Sequence, residues 1–218
     1  MTPMTASFAS RSVLLASLGF FSSTHAANIA VTDLAYAQTV NQYFRDIHYQ
    51  EMQNAMPSNA YNYIEYSELH KFEGDIRDEL VNNGFQITQA TPHATQKNEK
   101  VTDVIEQIKS GHFPNADYVL FGTVSDLAFR DEATPVMGTT RVANTFSLML
   151  SVDFSLINTK TYEVKTAFSA STQGQDARQG NADRAIIPDR GKIISDISRN
   201  LGREVAQQIL FQLGSQQQ

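Results

Sequence analysis

The stretch FSLMLSVDFSLINTKTYEVKTAFSA, Phe146 to Ala170, decides the fold. Phe146, Leu148, Leu150, Val152, Phe154 and Leu156 are apolar at every second position, and Ser147, Met149, Ser151, Asp153 and Ser155 stand between them. A strand turns that period of two into one oily face and one wet face. Beyond the polar turn Asn158–Lys160, Tyr162, Val164 and Phe168 alternate with Glu163, Lys165 and Ser169. Two long alternating strands joined this way predict an antiparallel hairpin, covered on one side and solvated on the other.

What covers the oily face is found on both sides of this stretch. Downstream, Ile194, Ile197, Leu201, Val205 and Ile209 recur at spacings of three and four after Pro188 and Asp189, which predicts a closing amphipathic helix. Upstream, Tyr118–Phe121 is a nearly continuous apolar run of the kind that suits a central strand, and TVSDLAF continues it. RDEATPVMGTTR, Arg130 to Arg141, contains Pro135 and Gly138 and reads as a turn-rich excursion, and Gln173–Pro188 reads as irregular.

Further upstream the order is strand, helix, strand, helix. Ile29 and Val31 open a short strand, and Val40, Tyr43, Phe44 and Ile47 fall at helical spacing. His48–Asn62 reads as a long polar loop. From Ser67, a reasonable N-cap, Leu69, Phe72, Ile76 and Leu80 form one stripe that Gly84 stops. Phe85 and Ile87 begin a strand, Thr91–Lys100 is a polar connection, and Val101, Val104, Ile105 and Ile108 form a second stripe closed by Gly111 and Pro114. The whole predicts one α/β (α+β) domain, a mixed sheet flanked by helices.

Residues 1–26 are excluded from that domain. Arg11, the apolar run Val13–Phe21 and small residues ending at Ala26 have the arrangement of a cleavable secretory signal, too short to span a bilayer, and the folded domain is residues 27–218. No later stretch predicts a transmembrane segment. With no cysteine, the chain is expected to have no disulfide, thiolate metal site or lipid-bearing residue at the cut. A net charge of −6, one unit more negative once Arg11 is removed, excludes a general nucleic-acid binder and a binder of anionic membrane surface.

No pattern announces chemistry. His48, His70, His93 and His112 form neither a His-x-His nor a His-Glu-x-x-His set, no Gly-x-Ser-x-Gly elbow singles out a serine, and Phe121-Gly122-Thr123 has only one glycine where a phosphate cradle needs several. Glu73 and Arg77 stand four apart, as on an exposed helix face, with His70 beside Glu73. The expectation is therefore no catalytic residue, no metal and no cofactor. Tyr61, Tyr63 and Tyr66 are the candidate partner-binding residues, because clustered tyrosines combine large contact area with a polar tip; the alternative is that they pack the sheet edge.

Two segments carry a family likeness. Ala116-Asp117-Tyr118-Val119-Leu120-Phe121-Gly122 and Leu156-Ile157-Asn158-Thr159-Lys160-Thr161-Tyr162-Glu163, with the opening strand IAVTDLAY and the closing helix, resemble the CsgG and LpoB-like group of bacterial envelope proteins, related in fold to the N-terminal domain of TolB. The resemblance spans nearly all of residues 27–218. It implies a non-enzymatic periplasmic accessory protein that binds another envelope protein, such as a peptidoglycan synthase or an outer-membrane assembly component. Penicillin-binding protein activators are the favoured branch, and a homo-oligomer is compatible with it. A subunit of a curli-type secretion assembly is the alternative within the group, and an envelope hydrolase the alternative outside it. The chain departs from the group in lacking a lipid-bearing cysteine and in placing Tyr162 where the hairpin turn usually has glycine, and its polar connections are not patterned for a barrel wall.

Overall fold

The computed structural model describes residues 27–37, 40, 64, 66–91, 99–181 and 188–214. The signal segment, Tyr43–Ile47, the whole His48–Asn62 loop and the centre of the Thr91–Lys100 connection lie outside the described residues. Of the first predicted helix only Val40 is described, and it is helical and buried.

The elements in chain order are β1 (Asn28–Val31), β2 (Ala35–Tyr36), α1 (Tyr66–Asn82), β3 (Gln86–Thr88), α2 (Val101–Lys109), β4 (Tyr118–Pro135), β5 (Arg141–Asn158), β6 (Val164–Asn181) and α3 (Arg190–Gly214). They form one mixed sheet in the order β3-β1-β4-β5-β6, with β2 continuing the line of β1 alongside β4. β1 pairs in parallel with both β3 and β4, whereas β4, β5 and β6 are antiparallel. The chain leaves β1 for β3 on one side, then crosses back over β1 to β4 on the other. Right-handed crossovers in opposite directions deliver their helices to opposite faces.

The two cores follow from that winding. On one face α1 and α3 cover Leu120, Leu150, Val152, Phe154 and Leu156 with Phe72, Ile76, Ile197, Leu201 and Val205. On the other, α2 lays Val104 and Ile108 against Val119, Phe121 and Ile157. The apolar run 118–121 is thus covered on both sides, as a central strand requires.

Glycines mark the close approaches. A Cβ on Gly202 would lie 2.7 Å from the Asp75 carbonyl oxygen, so α1 and α3 cross at that point backbone to backbone. One on Gly174 would meet Ile197 at 2.8 Å, and one on Gly122 would lie 2.5 Å from Leu34 and 2.7 Å from the Phe154 ring. Gly74, in the middle of α1, faces open space and makes no such contact.

Local caps match the sequence in part. Gly84 (φ 90°) ends α1 and Gly111 (φ 80°) ends α2 in the left-handed region. The Asp189 carboxylate accepts the Lys192 N–H at 3.0 Å and caps α3. α1 begins at Tyr66, so Ser67 is inside the helix and is not its cap. Two segments read as irregular are strand: β4 runs on to Pro135 and β6 to Asn181, because each extends a ladder already begun by its neighbours. The turn between β4 and β5 is confined to 136–140, where Val136 N–H donates to Arg141 at 2.9 Å and Gly138 has φ 77°.

The two segments that carry the family likeness bind each other at the base of the sheet. Asp117 accepts the Asn28 N–H at 3.1 Å through its carboxylate and donates its own N–H to the Asn28 carbonyl at 2.8 Å. Thr159 donates its hydroxyl to the Ala116 carbonyl at 2.6 Å and its N–H to the Asp117 carbonyl at 3.0 Å. Asn158 closes the β5–β6 turn by accepting the N–H groups of Lys160 (2.8 Å) and Thr161 (3.0 Å) on its side chain. Tyr162 then takes φ 62°, the left-handed conformation glycine favours, and its ring lies under the Lys109 ammonium at 5.8 Å.

Candidate functional site

Two places on the sheet offer more than packing. The first is the outer face of the antiparallel strands. The register stacks Arg130, Ser147 and Gln175 in one row, Ala128, Met149 and Gln173 in the next, then Asp126, Ser151 and Ser171, then Thr123, Asp153 and Ser169. Ser151 and Ser171 share a hydrogen bond of 2.8 Å, and Ser169 donates to Asp153 at 2.6 Å. A groove of about 540 Å³ runs over the Ala128–Arg130, Ser147–Met149 and Gln173–Gln175 rows. Beside it β6 is the last strand of the sheet: among the described residues nothing pairs with its outer edge. An unpaired edge presents a row of backbone donors and acceptors to a partner.

The second is a polar crevice of about 280 Å³ beyond the carboxyl ends of β1 and β3. The chain departs from these two parallel neighbours toward helices on opposite faces, and in open α/β sheets that divergence leaves a cleft where ligands bind. The break between β1 and β2 places Asp33 at its rim, and α1 contributes His70, Glu73 and Arg77. His70 Nδ1 lies 2.8 Å from Asp33 Oδ1 and 3.7 Å from Glu73 Oε2. Arg77 pairs with the other Glu73 oxygen and donates to the Val31 carbonyl at 3.3 Å. Across the crevice the buried Glu99 carboxylate accepts from Gln107, and Thr91 donates both N–H (2.8 Å) and hydroxyl (3.0 Å) to the His112 carbonyl.

Burial pushes the Glu73 carboxyl up from 4.5 to about 7; its hydrogen bond with Asp33 adds to the rise and Arg77 opposes it. Asp33, His70 and Glu73 are the one trio of potential metal-ligating side chains among the described residues, with ligand atoms all within 4.8 Å of one another.

The sequence-predicted residues fare differently. Tyr61 and Tyr63 lie outside the described residues; Tyr66 opens α1, and its side chain is not described. The Glu73–Arg77 pair exists, but Glu73 is only 13% exposed and faces the crevice, so this is no solvated helix surface. His70, 61% exposed, does meet Glu73 as its spacing suggests. Asp33 was missed, since nothing in Thr32-Asp33-Leu34 marks it. The available signal was its position just past the first parallel strand. His112 caps and packs, with its ring Nδ1 3.2 Å from the Gln107 carbonyl.

No helix among the described residues is long and apolar enough to cross a membrane. No family model matches the chain, and no curated protein matches it. Solved structures similar to it include the PelC dodecamer from Paraburkholderia phytofirmans, at 16% identity over 83% of this chain and 84% of that one, TM-score 0.38. Protein CT253 from Chlamydia trachomatis is similar at 10% identity over 87% and 99%, TM-score 0.43. Lipoprotein GNA1162 from Neisseria meningitidis is similar at 15% identity over 84% and 97%, TM-score 0.33. At these identities and scores the likeness assigns neither family nor function, and the resemblance to the CsgG and LpoB-like group rests on the quoted residues alone.

Proposed function

We propose that the chain is a non-enzymatic accessory protein of the Gram-negative cell envelope, exported to the periplasm, that works by holding another envelope protein. The observation that carries this reading is the outer edge of β6, unpaired among the described residues, next to a wet, grooved face. Across β4, β5 and β6 the outer rows are largely serine, glutamine and a few charges, which offer side-chain donors and acceptors to a partner. The quoted family resemblance supports the same role and points to a peptidoglycan synthase or an outer-membrane assembly component as the partner.

Site-specific photo-crosslinking in intact cells tests it. A crosslinker at Ser171 or Gln173 is expected to trap one discrete envelope protein, while the same group at exposed Arg203 on α3 traps none. Equal labelling from all three positions sinks the reading. Light scattering on the purified chain separates a heterologous partner from a ring of identical subunits.

A second reading, an envelope hydrolase, has one observation in its favour: Glu73, Asp33 and Glu99 converge with His70 in one crevice. Release of sugar or peptide from envelope glycan that disappears in Glu73→Gln would favour it over binding alone.

A further inference from the structure

We propose that Asp33, His70 and Glu73 form a binding site for a first-row divalent transition ion, Zn²⁺ being the best fit, that ties α1 to the break between β1 and β2. The argument begins with geometry. Ligand atoms at about 2.0–2.2 Å from zinc stand roughly 3.3 to 3.6 Å apart when the angles are near tetrahedral. The 2.8 Å between His70 and Asp33 and the 3.7 Å between His70 and Glu73 lie on either side of that range, so a small side-chain rotation seats all three.

The donor set is the next consideration. Two carboxylate oxygens with one imidazole nitrogen select zinc or manganese over calcium and magnesium, which take oxygen-only shells. The surroundings agree: Asp33 and Glu73 supply two carboxyl groups, Arg77 holds Glu73 from its far side, and the carboxyl of buried Glu99 lines the same crevice. The site also has the independent mark of place, since it stands where the chain diverges from two adjacent parallel strands.

Two elements remote in sequence supply the ligands. Asp33 comes from the interrupted first strand; His70 and Glu73 come from successive turns of one face of α1. The ion would therefore act as a clamp across that joint, and three protein ligands leave at least one coordination position for water or an incoming carboxylate. The site shares no lining residue with the groove over β5 and β6, so neither proposal depends on the other.

Titration calorimetry of the full chain, stripped with chelator and then supplied with Zn²⁺ alone, is the test. One ion per chain is expected, with a raised melting temperature. Asp33→Asn and His70→Ala should each weaken binding by on the order of tenfold or more, and Glu106→Gln, on the exposed face of α2, should leave it unchanged. His70 is largely exposed, so its variant keeps the fold, which circular dichroism verifies. Absence of saturable binding, binding undiminished in either variant, or equal affinity for Mg²⁺ each overturns the assignment.

Discussion

The two ends of the β4–β5–β6 ribbon belong to one continuous ladder and meet different surroundings. At the Tyr118 end both faces are covered, Leu120 and Leu156 by the α1–α3 layer and Val119, Phe121 and Ile157 by α2. At the Pro135 end residues 131–135 are exposed on either face, and Met137 at the tip is 96% exposed. Alternation creates two faces but does not say what lies against them. That is decided by where the crossovers deliver their helices, and both parallel crossovers land over the first half.

The contrast is sharpest in stability. Phe154→Ala, which empties a ring packed on Phe168 at 5.5 Å, should cost about 3–5 kcal/mol, against less than about 0.5 kcal/mol for Met137→Ser. Urea denaturation of the two variants measures it; comparable losses would mean that the far end is structural after all. Gly202→Ala comes next. Its methyl would press on the Asp75 carbonyl, so a loss of about 1–3 kcal/mol is expected, whereas Gly74→Ala, facing open space in the same helix pair, should gain up to about 1 kcal/mol.

A smaller effect distinguishes the crevice from the outer face. A carboxyl whose pKa is raised on folding holds its proton more tightly in the native state than in the unfolded one. Chelator-treated protein should then lose stability, on the order of 1–2 kcal/mol, as pH climbs from 4.5 to about 7, and be level on either side of that window with respect to this group. Glu73→Gln should flatten that decline in thermal melts, and Asp153→Asn on the outer face should leave it in place. The smallest change is at the covered end's own turn. Tyr162→Gly removes an unfavourable left-handed conformation but forfeits the contact with Lys109, so the two offset to within about 0.5 kcal/mol.

Much of this architecture was legible in the sequence because it depends on local period. Leu148 to Leu156, the stripe Ile194 to Ile209 and the stops at Gly84 and Gly111 each announce themselves within a few residues, and the structure places them as read. The strand character of 130–135 and 173–181 was not legible, since those residues are mostly polar and become strand only by extending a neighbour's ladder. The crevice was hidden for a different reason. His70, Glu73 and Arg77 look like an ordinary charged helix face until the fold brings Asp33 against them from elsewhere in the chain.

The position of β1 has a bearing on how the protein is made. Its four residues occupy the middle of the parallel region, between β3 and β4, and are tied to Asp117 across a sequence separation of 89. As the chain emerges from its amino end, this oily strand appears before every element that will flank it; its first ladder partner arrives only with Gln86–Thr88 and its second only with Tyr118–Leu120. The sheet is thus assembled around its oldest segment late, and the earliest residues of the domain are the ones that wait longest for shelter.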